Sequence, residues 1–524
     1  MAPVDPFTQI IQTARAHTIA GRRAEASSLI DGVLAKAPNH AEALYIKGHL
    51  LSGDGKLNEA AATLERAARV QPSSLDILSA LALALRQCGR LQDSIAAFRR
   101  LCAAKPDDAQ VHYETAFTLY MTVESIFDGM DIAASEADIS RVAIALDEMR
   151  QLMQRALKLN PALAMAQLGI VYSYLGANRT FEALQAGLIY ARLKPDDAAF
   201  IECMKDLPLR LMLEKTLRAR PGYGQSPDVA PPPVTARDDW ERQATTTIRD
   251  AIPNPISGPA IVYFHVAIGD RHPFLGVNEK GAPAVDYLTT LALSCRSARL
   301  NQPGAKIVLL TDSDTSVVGF SGADFIIRLP RERDHLMYAR MRACRALVAS
   351  GQLAGPVLFL DTDVCINRDF SPVFDGSFDI ALSYRSNIRF PLMPVNEGVM
   401  LGDARRPGAL AAFFANCLDD YEWLADQPQV RDRYGFDVRF WRGGQLALAA
   451  FVEWRTPPNT LANVRIGSIR CKFLPCDAYN FAVTPDTPFE SLDRVWSLHF
   501  KGLLPKARME QYLVHAERRA NPAY

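Results

Sequence analysis

A run of strand length, "PVLFL" at 356–360, ends in Asp361-Thr362-Asp363. Two carboxylates at i and i+2 off the end of a buried apolar strand are suited to gripping a divalent cation and, through it, a diphosphate. Phosphates repel bare carboxylates, so a metal must lie between them. The plainer alternative is that the pair caps a following turn, where Asp is common. Five apolar residues in front of the pair set it apart from a surface acidic pair.

The elements that must position this pair alternate in type. "AIVYFHVA", "KIVLLTD", "DFIIRLP" and "PVLFLDTDV" read as strands, while "AVDYLTTLALSCRSARL" and "MYARMRACRALVAS" read as helices. Strands separated by helices of several turns predict a mostly parallel sheet covered on both faces. Ligands of such sheets bind beyond the carboxyl ends of the strands, which is where Asp361 and Asp363 fall.

The preceding half of the chain is periodic. Pro38, Pro72 and Pro106 are spaced 34 residues apart, each closing a helical pattern. Small residues recur in register at Ala14, Gly48 and Ala82 and again at Ala26, Ala60 and Ser94, with large apolar residues at Ile30, Leu64 and Phe98. Pro161 and Pro195 repeat the spacing, with Ala183 at the small position. The 55 residues from Pro106 to Pro161 mark an insertion of about 21 residues, "VESIFDGMDIAASEADIS". The register resembles the tetratricopeptide repeat, a helix-turn-helix unit whose small residues let paired helices approach and whose proline ends the second helix. Five repeats are expected over 7–197, with "DDAAFIECMKDLPLRLMLEKTLRA" capping the open end, so the solenoid spans 7–218. Such solenoids offer a groove for a protein or peptide partner. "RPGYGQSPDVAPPPVTARDD" and "IPNPISGP" are rich in Pro, Gly and Ser, with a short helix, "DWERQATTTIRD", expected between them, which assigns 219–258 to a Pro-rich linker and 259–524 to the sheet-and-helix domain.

The chain has 524 residues, length for two to four domains. Its hydrophobic share of 49% and charged share of 22% exclude a disordered or collagen-like chain. Lys plus Arg and Asp plus Glu both number 58, so no global charge favours nucleic acid or anionic lipid. Nine scattered cysteines with no C-x-x-C pair point away from a disulfide framework or zinc site and toward a reducing compartment. The first residues carry no apolar signal core, and the longest apolar stretches are about half the length of a membrane span. The expectation is a cytoplasmic protein with no transmembrane segment and no nucleic-acid partner.

The segment "MYARMRACRALVASGQLAGPVLFLDTDV" resembles retaining GT-A glycosyltransferases of the family 8 type, in which a Tyr-Ala-Arg-Leu-like helix precedes an "hhhLDxDh" strand. "PVNEGVMLGD" is similar to that family's "FNxGVmLh" strand, and "VWSLHFKGLLPK" to its "HxxGxxKPW" motif. The resemblance covers roughly 260–505. It implies an α/β GT-A domain that transfers a hexosyl group, with retention, from a nucleotide-diphosphate sugar, using Mn2+ or Mg2+. It further implies Asp361, Asp363 and His499 as metal ligands, and Arg340 on the donor's phosphate or sugar. Arg340 has an independent rationale, since a planar guanidinium suits bidentate phosphate recognition; a plain helix-surface charge is the alternative. Asn396, Glu397 and Gly398 fall beside the donor sugar, and Gly502 matches in spacing. Where the family has a lysine six residues after the histidine, this chain has Pro505, so Lys506 and Lys501 become the candidates for the diphosphate. The family's "DQ" pair corresponds to Gly444-Gln445. Glu397, Gln445 and Asp403 are the catalytic candidates near the sugar.

Other readings compete. "LDTDV" also fits a haloacid-dehalogenase-type phosphatase with Asp361 as nucleophile, but that family puts this strand first in its domain. A two-lobed, metal-free transferase of the protein O-linked N-acetylglucosamine type needs more chain than the C-terminal domain provides. A repeat scaffold with a degenerate transferase domain is the non-catalytic reading.

Overall fold

The computed structural model describes residues 6–128, 136–220, 234–267, 287–331, 335–385, 390–435, 438, 441–457, 463–502 and 508–520. They form two compact units, one of residues 6–128, 136–173 and 185–195 and one of residues 174–184 with the described residues from 196 onward.

The helices of the repeats are α1 (Thr8–Ile19), α2 (Arg23–Lys36), α3 (Ala41–Gly53), α4 (Leu57–Val70), α5 (Leu75–Gln87), α6 (Leu91–Ala104), α7 (Ala109–Asp128), α8 (Glu136–Leu159), α9 (Ala164–Gly176) and α10 (Thr180–Leu193). The register read from the sequence holds in space. Ala14, Ala26, Ala60, Ala82 and Ser94 have no exposed surface. A Cβ on Gly48 would stand 2.5 Å from Leu64 Cγ, so α3 and α4 pack too closely there for any side chain. Ser94 Oγ donates to Ala82 O at 2.7 Å, turning the small position of α6 into a tie to α5. Gly21, Gly55 and Gly89, also 34 apart, take left-handed φ of 73°, 77° and 80° and close the turns between paired helices. The inserted segment lies partly outside the described residues. On its two sides α7 has 20 residues and α8 has 24, against 13 in α3 and α5 and 14 in α4 and α6. The added chain therefore lengthens both helices of the fourth pair.

The second unit begins earlier than the sequence analysis expects. Helices α11 (Ala198–Met204) and α12 (Asp206–Arg218), assigned there to a solenoid cap, pack within this unit. Leu213 and Leu217 of α12 are buried in its core, and Arg210 donates to Pro391 O and Trp454 O. The expected linker is corrected in the same way. Its residues 221–233 lie outside the described residues, but α13 (Asp239–Ala251) is amphipathic and buries Ala244 and Ile248 in the same core. Asp238 caps that helix by accepting from Glu241 N.

The remaining elements are β1 (Ala260–Phe264), α14 (Tyr287–Asn301), β2 (Lys306–Asp312), β3 (Phe325–Leu329), α15 (Leu336–Ala349), β4 (Pro356–Leu360), β5 (Val364–Ile366), β6 (Ile380–Tyr384), β7 (Val395–Asp403), α16 (Pro407–Ala425), α17 (Pro428–Tyr434), α18 (Trp441–Phe451), β8 (Asn463–Ile466), β9 (Ile469–Pro475), α19 (Cys476–Tyr479), β10 (Phe481–Ala482), β11 (Ser497–His499) and α20 (Met509–Ala520). Eight strands form one mixed sheet in the order β3-β2-β1-β4-β7-β6-β9-β8. β7 runs against β4 and β6, β8 runs against β9, and the other pairings are parallel. Residues of α12, α13, α15, α16 and α18 cover one face, and α14 with the β5 segment covers the other. Burying each Val, Leu, Ile or Phe side chain between these layers is worth about 1.5–3 kcal/mol. The chain moves outward from β1 through β2 to β3 and returns with β4 on the other side of β1. That reversal puts a topological switch point at the carboxyl ends of β1 and β4, the place where ligands of such sheets sit. No described helix is long and apolar enough to cross a membrane. The nine cysteines form no disulfide among the described residues.

Candidate metal and phosphate site

The apolar body of β4 is enclosed, so its chain can leave the sheet only at the end. Asp361 N still donates to Gly398 O of β7 at 3.0 Å, and Val364 N then donates to Asp361 O at 3.2 Å, closing a turn. Through this turn the chain enters β5, which pairs antiparallel with β11 and sets His499 opposite Val364. Phe500 N donates to Asp363 O at 2.9 Å. His499 Nε2 consequently stands 3.2 Å from Asp363 Oδ1 and 3.6 Å from Asp361 Oδ2. One ligand atom from each residue falls within 4.8 Å of the others. The three predicted metal ligands, two from the end of β4 and one from a strand near the end of the chain, are brought together.

The imidazole is oriented from behind. Its Nδ1 lies 2.8 Å from Asn480 Oδ1, while Asn480 Nδ2 donates to Ser383 Oγ at 3.0 Å. Ser383 Oγ in turn donates to the carbonyls of Asn396 and Val399. This chain assigns the proton to Nδ1 and leaves the Nε2 lone pair facing the carboxylates. Burial holds the His499 pKa below its ordinary value, against the pull of Asp363, and so favours the neutral, ligating form. Two carboxylate oxygens and one imidazole nitrogen, with the imidazole held by an outer hydrogen bond, fit a divalent cation such as Mn2+ or Mg2+.

Arg340, on α15, is buried rather than on the helix surface. It pairs with Asp361 Oδ1 at 2.5 Å and donates to Glu397 O at 3.2 Å, so its guanidinium orients the aspartate from within the fold. Gly398 is a packing requirement of the histidine: a Cβ there would fall 2.5 Å from His499 Cε1. Asn396 Oδ1 accepts from Gly398 N at 2.9 Å, shaping the strand rather than facing solvent. Lys501 is half-buried, and burial holds its pKa down while Asp361 and Asp363 pull it up. Gly502 takes φ 81°. Lys506 lies outside the described residues.

Among the catalytic candidates the structure divides. Glu397 is 2% exposed, and its Oε1 has no hydrogen-bond partner. Burial pushes its pKa up to about 8, against the pull of Arg340. Gly444, where the resemblance expects an acid, stands against this carboxyl: a Cβ at 444 would come 2.2 Å from Glu397 Oε2. Gln445 accepts from Arg385 Nη2 at 2.6 Å. Asp403 does not belong to the site. Because β7 runs antiparallel to β4, Val399 pairs with Leu360 while Asp403 pairs with Pro356, at the opposite edge of the sheet, where Arg405 binds it at 2.7 Å.

Arg385, which the sequence reading did not single out, stands beside these groups. It follows β6 directly, and its side chain reaches Gln445 and the carbonyls of Met393 and Val395. The available signal was an arginine at the carboxyl end of an apolar strand, "IALSYR".

A sequence profile for the tetratricopeptide repeat matches residues 47–109. No curated protein matches the chain. Among solved structures, YrrB, described as a TPR protein with an unusual peptide-binding site, is 17% identical, with 38% of this chain and 91% of that chain covered and a TM-score of 0.32. MamA from Desulfovibrio magneticus RS-1 is 16% identical, covering 38% and 99%, with a TM-score of 0.31. MamA MSR-1 is 20% identical, covering 36% and 97%, with a TM-score of 0.30. The N-terminal half is thus a helical solenoid carrying tetratricopeptide repeats, and a domain with a mixed α/β sheet follows it.

Proposed function

We propose that the α/β domain is a metal-dependent GT-A-type glycosyltransferase that uses a nucleotide-diphosphate sugar, and that the repeats recruit its acceptor, a protein or a glycan carried by one. The observation that carries this reading is the convergence of Asp361, Asp363 and a pre-oriented His499 at a topological switch point of the sheet. Asp361, Asp363 and His499 would hold the ion, which when bound would neutralise charge developing on the departing diphosphate. Arg340 fixes Asp361 in place. Asn480 holds His499 in its ligating tautomer. Glu397 and Gln445 lie next to this centre, beside Arg340 and Arg385, as the polar groups for a donor sugar. An acceptor bound by the repeats would be present at high effective concentration.

One observation favours a second reading, a repeat scaffold whose α/β domain has kept only its fold: glycine stands at 444, where the resemblance expects an acid. Release of nucleoside diphosphate from uridine- and guanosine-diphosphate sugars, with Mn2+ and with a chelator, separates the two. Metal-dependent release that Asp363→Ala abolishes supports the transferase. Absence of release by the intact chain with every donor, while the chain still captures a peptide through its repeats, supports the scaffold.

A further inference from the structure

We infer that Arg210 is a positioning residue of the α/β domain: with Glu214 it forms a buried clamp through which the turn between α9 and α10 fixes the 391–395 run and the end of α18, and so Arg385 and Gln445. Its consequence for turnover rests on the reading of this centre as a transferase site; the clamp itself does not.

Arg210 ties α12 to three other segments. Its Nε donates to Glu214 Oε1 at 2.7 Å, Nη1 to Pro391 O at 3.1 Å, and Nη2 to Asn178 Oδ1 at 2.5 Å and Trp454 O at 3.3 Å. Glu214 also accepts from Thr180 Oγ1 at 2.9 Å. Arg210, Glu214, Thr180 and Trp454 are buried, and all of them belong to the α/β unit, as do Asn178 and Pro391. The turn that the repeat register assigns to the solenoid is therefore part of the unit that carries the site.

The three described non-glycine residues with left-handed backbone gather at this clamp: Asn178 (φ 55°), Glu453 (φ 53°) and Trp454 (φ 54°). Asn178 and Trp454 accept from Arg210 directly. Glu453 precedes Trp454 in the turn that ends α18, where their backbone N–H groups donate to Ala450 O at 2.8 Å and Ala449 O at 2.7 Å. Such backbone is unfavourable for a residue with a Cβ and persists where its surroundings over-determine it, as at functional sites and clamps. Stability alone does not explain the ion pair either, since well-packed apolar side chains in place of a buried pair are often as stable.

From the clamp the contacts run toward the site. Trp454 Nε1 donates to Leu392 O at 3.0 Å, so the carbonyls of Pro391 and Leu392 are both held from this node. The next three are held by Arg385, whose Nη1 donates to Met393 O and, at 2.9 Å, to Val395 O, and whose backbone N donates to Pro394 O at 2.7 Å. Arg385 Nη2 in turn donates to Gln445 Oε1 at 2.6 Å. Gln445 lies on α18, whose carboxyl end leads into Trp454, so both routes from Arg210 converge on it. A planar guanidinium reaches these segments at once, which an ammonium does not.

Amide hydrogen exchange of the full chain, read by mass spectrometry, tests the clamp. Arg210→Met combined with Glu214→Met removes both charges and keeps the volume filled, so this chain should fold. Its exchange over 391–395 and 441–454 should quicken about 10- to 100-fold, while exchange over β1, β2 and β4 stays within about twofold of native. Arg210→Lys should quicken the same segments, because an ammonium keeps the pair with Glu214 and loses the fork. Where the double variant does not melt cooperatively, Trp454→Phe decides: it removes only the indole N–H from Leu392 O, and exchange over 392–395 should quicken. Mn2+ affinity should stay within about twofold of native in every folded variant, because the clamp does not hold Asp361, Asp363 or His499. Release of nucleoside diphosphate from uridine- or guanosine-diphosphate sugars should fall about 10- to 100-fold. Native exchange in the folded variants overturns the clamp, and native exchange in Arg210→Lys alone reduces the residue to an ion pair and overturns its positioning role. Faster exchange with unchanged release overturns that role as well. Absence of release by the native chain with every donor overturns the transferase reading, and exchange still decides the clamp.

Discussion

His499 Nδ1 and Asn480 Oδ1 stand 2.8 Å apart, and this one hydrogen bond decides which face of the imidazole meets Asp361 and Asp363. Asn480 is buried and is itself held by Ser383. Outer-shell partners of metal-binding histidines typically contribute about 10- to 100-fold in affinity. Asn480→Ala should therefore weaken Mn2+ binding by about that factor while the sheet stays intact. Titration of the variant with Mn2+ beside a far-ultraviolet dichroism spectrum checks both halves, and native affinity in the variant would remove Asn480 from the centre.

Gly444 and Glu397 share one volume. Gly444→Ala would put a methyl 2.2 Å from Glu397 Oε2, so this buried carboxyl must shift to admit it. Overpacking of this kind costs about 1–3 kcal/mol. The paired change Gly444→Ala with Glu397→Ala should be closer to the stability of Glu397→Ala alone than additivity allows, because the clash disappears with the carboxyl. Urea midpoints of the four chains measure this coupling, and strict additivity would mean that the two residues do not compete.

Glu397 also makes stability depend on pH. Its pKa is raised from an ordinary 4.5 to about 8 by burial, so the folded chain keeps a proton that the unfolded chain releases near 4.5. The stability contributed by the protonated carboxyl is fully present below 4.5 and is lost as pH rises toward 8. Across that window the loss grows by about 1.4 kcal/mol per pH unit. Glu397→Gln, neutral throughout and of the same shape, should remove this slope. Native and variant chains should draw apart in urea unfolding between pH 5 and pH 8 in metal-free buffer, with the variant gaining on the native chain as pH rises. Parallel pH profiles would show that Glu397 is ionised in the fold.

The packing of α12 and α13 sets where the chain can be cut. A chain beginning at Ala251 loses Leu213, Leu217, Ala244 and Ile248 from the core. At about 1.5–3 kcal/mol for each large side chain, that loss is comparable to the whole stability of a domain. Such a chain should fail to melt cooperatively, whereas one beginning at Tyr174 should melt as a unit. If the repeats recruit the acceptor, the longer chain should also keep donor hydrolysis and lose most transfer at limiting acceptor. Equal transfer by the full and shortened chains would leave the repeats an anchoring or oligomerising role.

Local pattern alone determined a good deal of this protein. The 34-residue register needed no partner beyond the next repeat, because each small residue meets a helix close to it in sequence. The aspartate pair was equally legible, since an apolar run followed by two carboxylates describes its own surroundings. What the tertiary structure decided depended on strand direction and on contacts between distant segments. The antiparallel run of β7 carries Asp403 to the far edge of the sheet and keeps Glu397 near Asp361. The pairing of β11 with β5 brings His499 to a turn that lies far earlier in the chain. The contact between Gly444 and Glu397 left no mark on any one segment. Neither spacing nor composition records which strand ends share an edge, because that is settled only when the long-range ladders close and the helices α15, α16 and α18 pack beneath them.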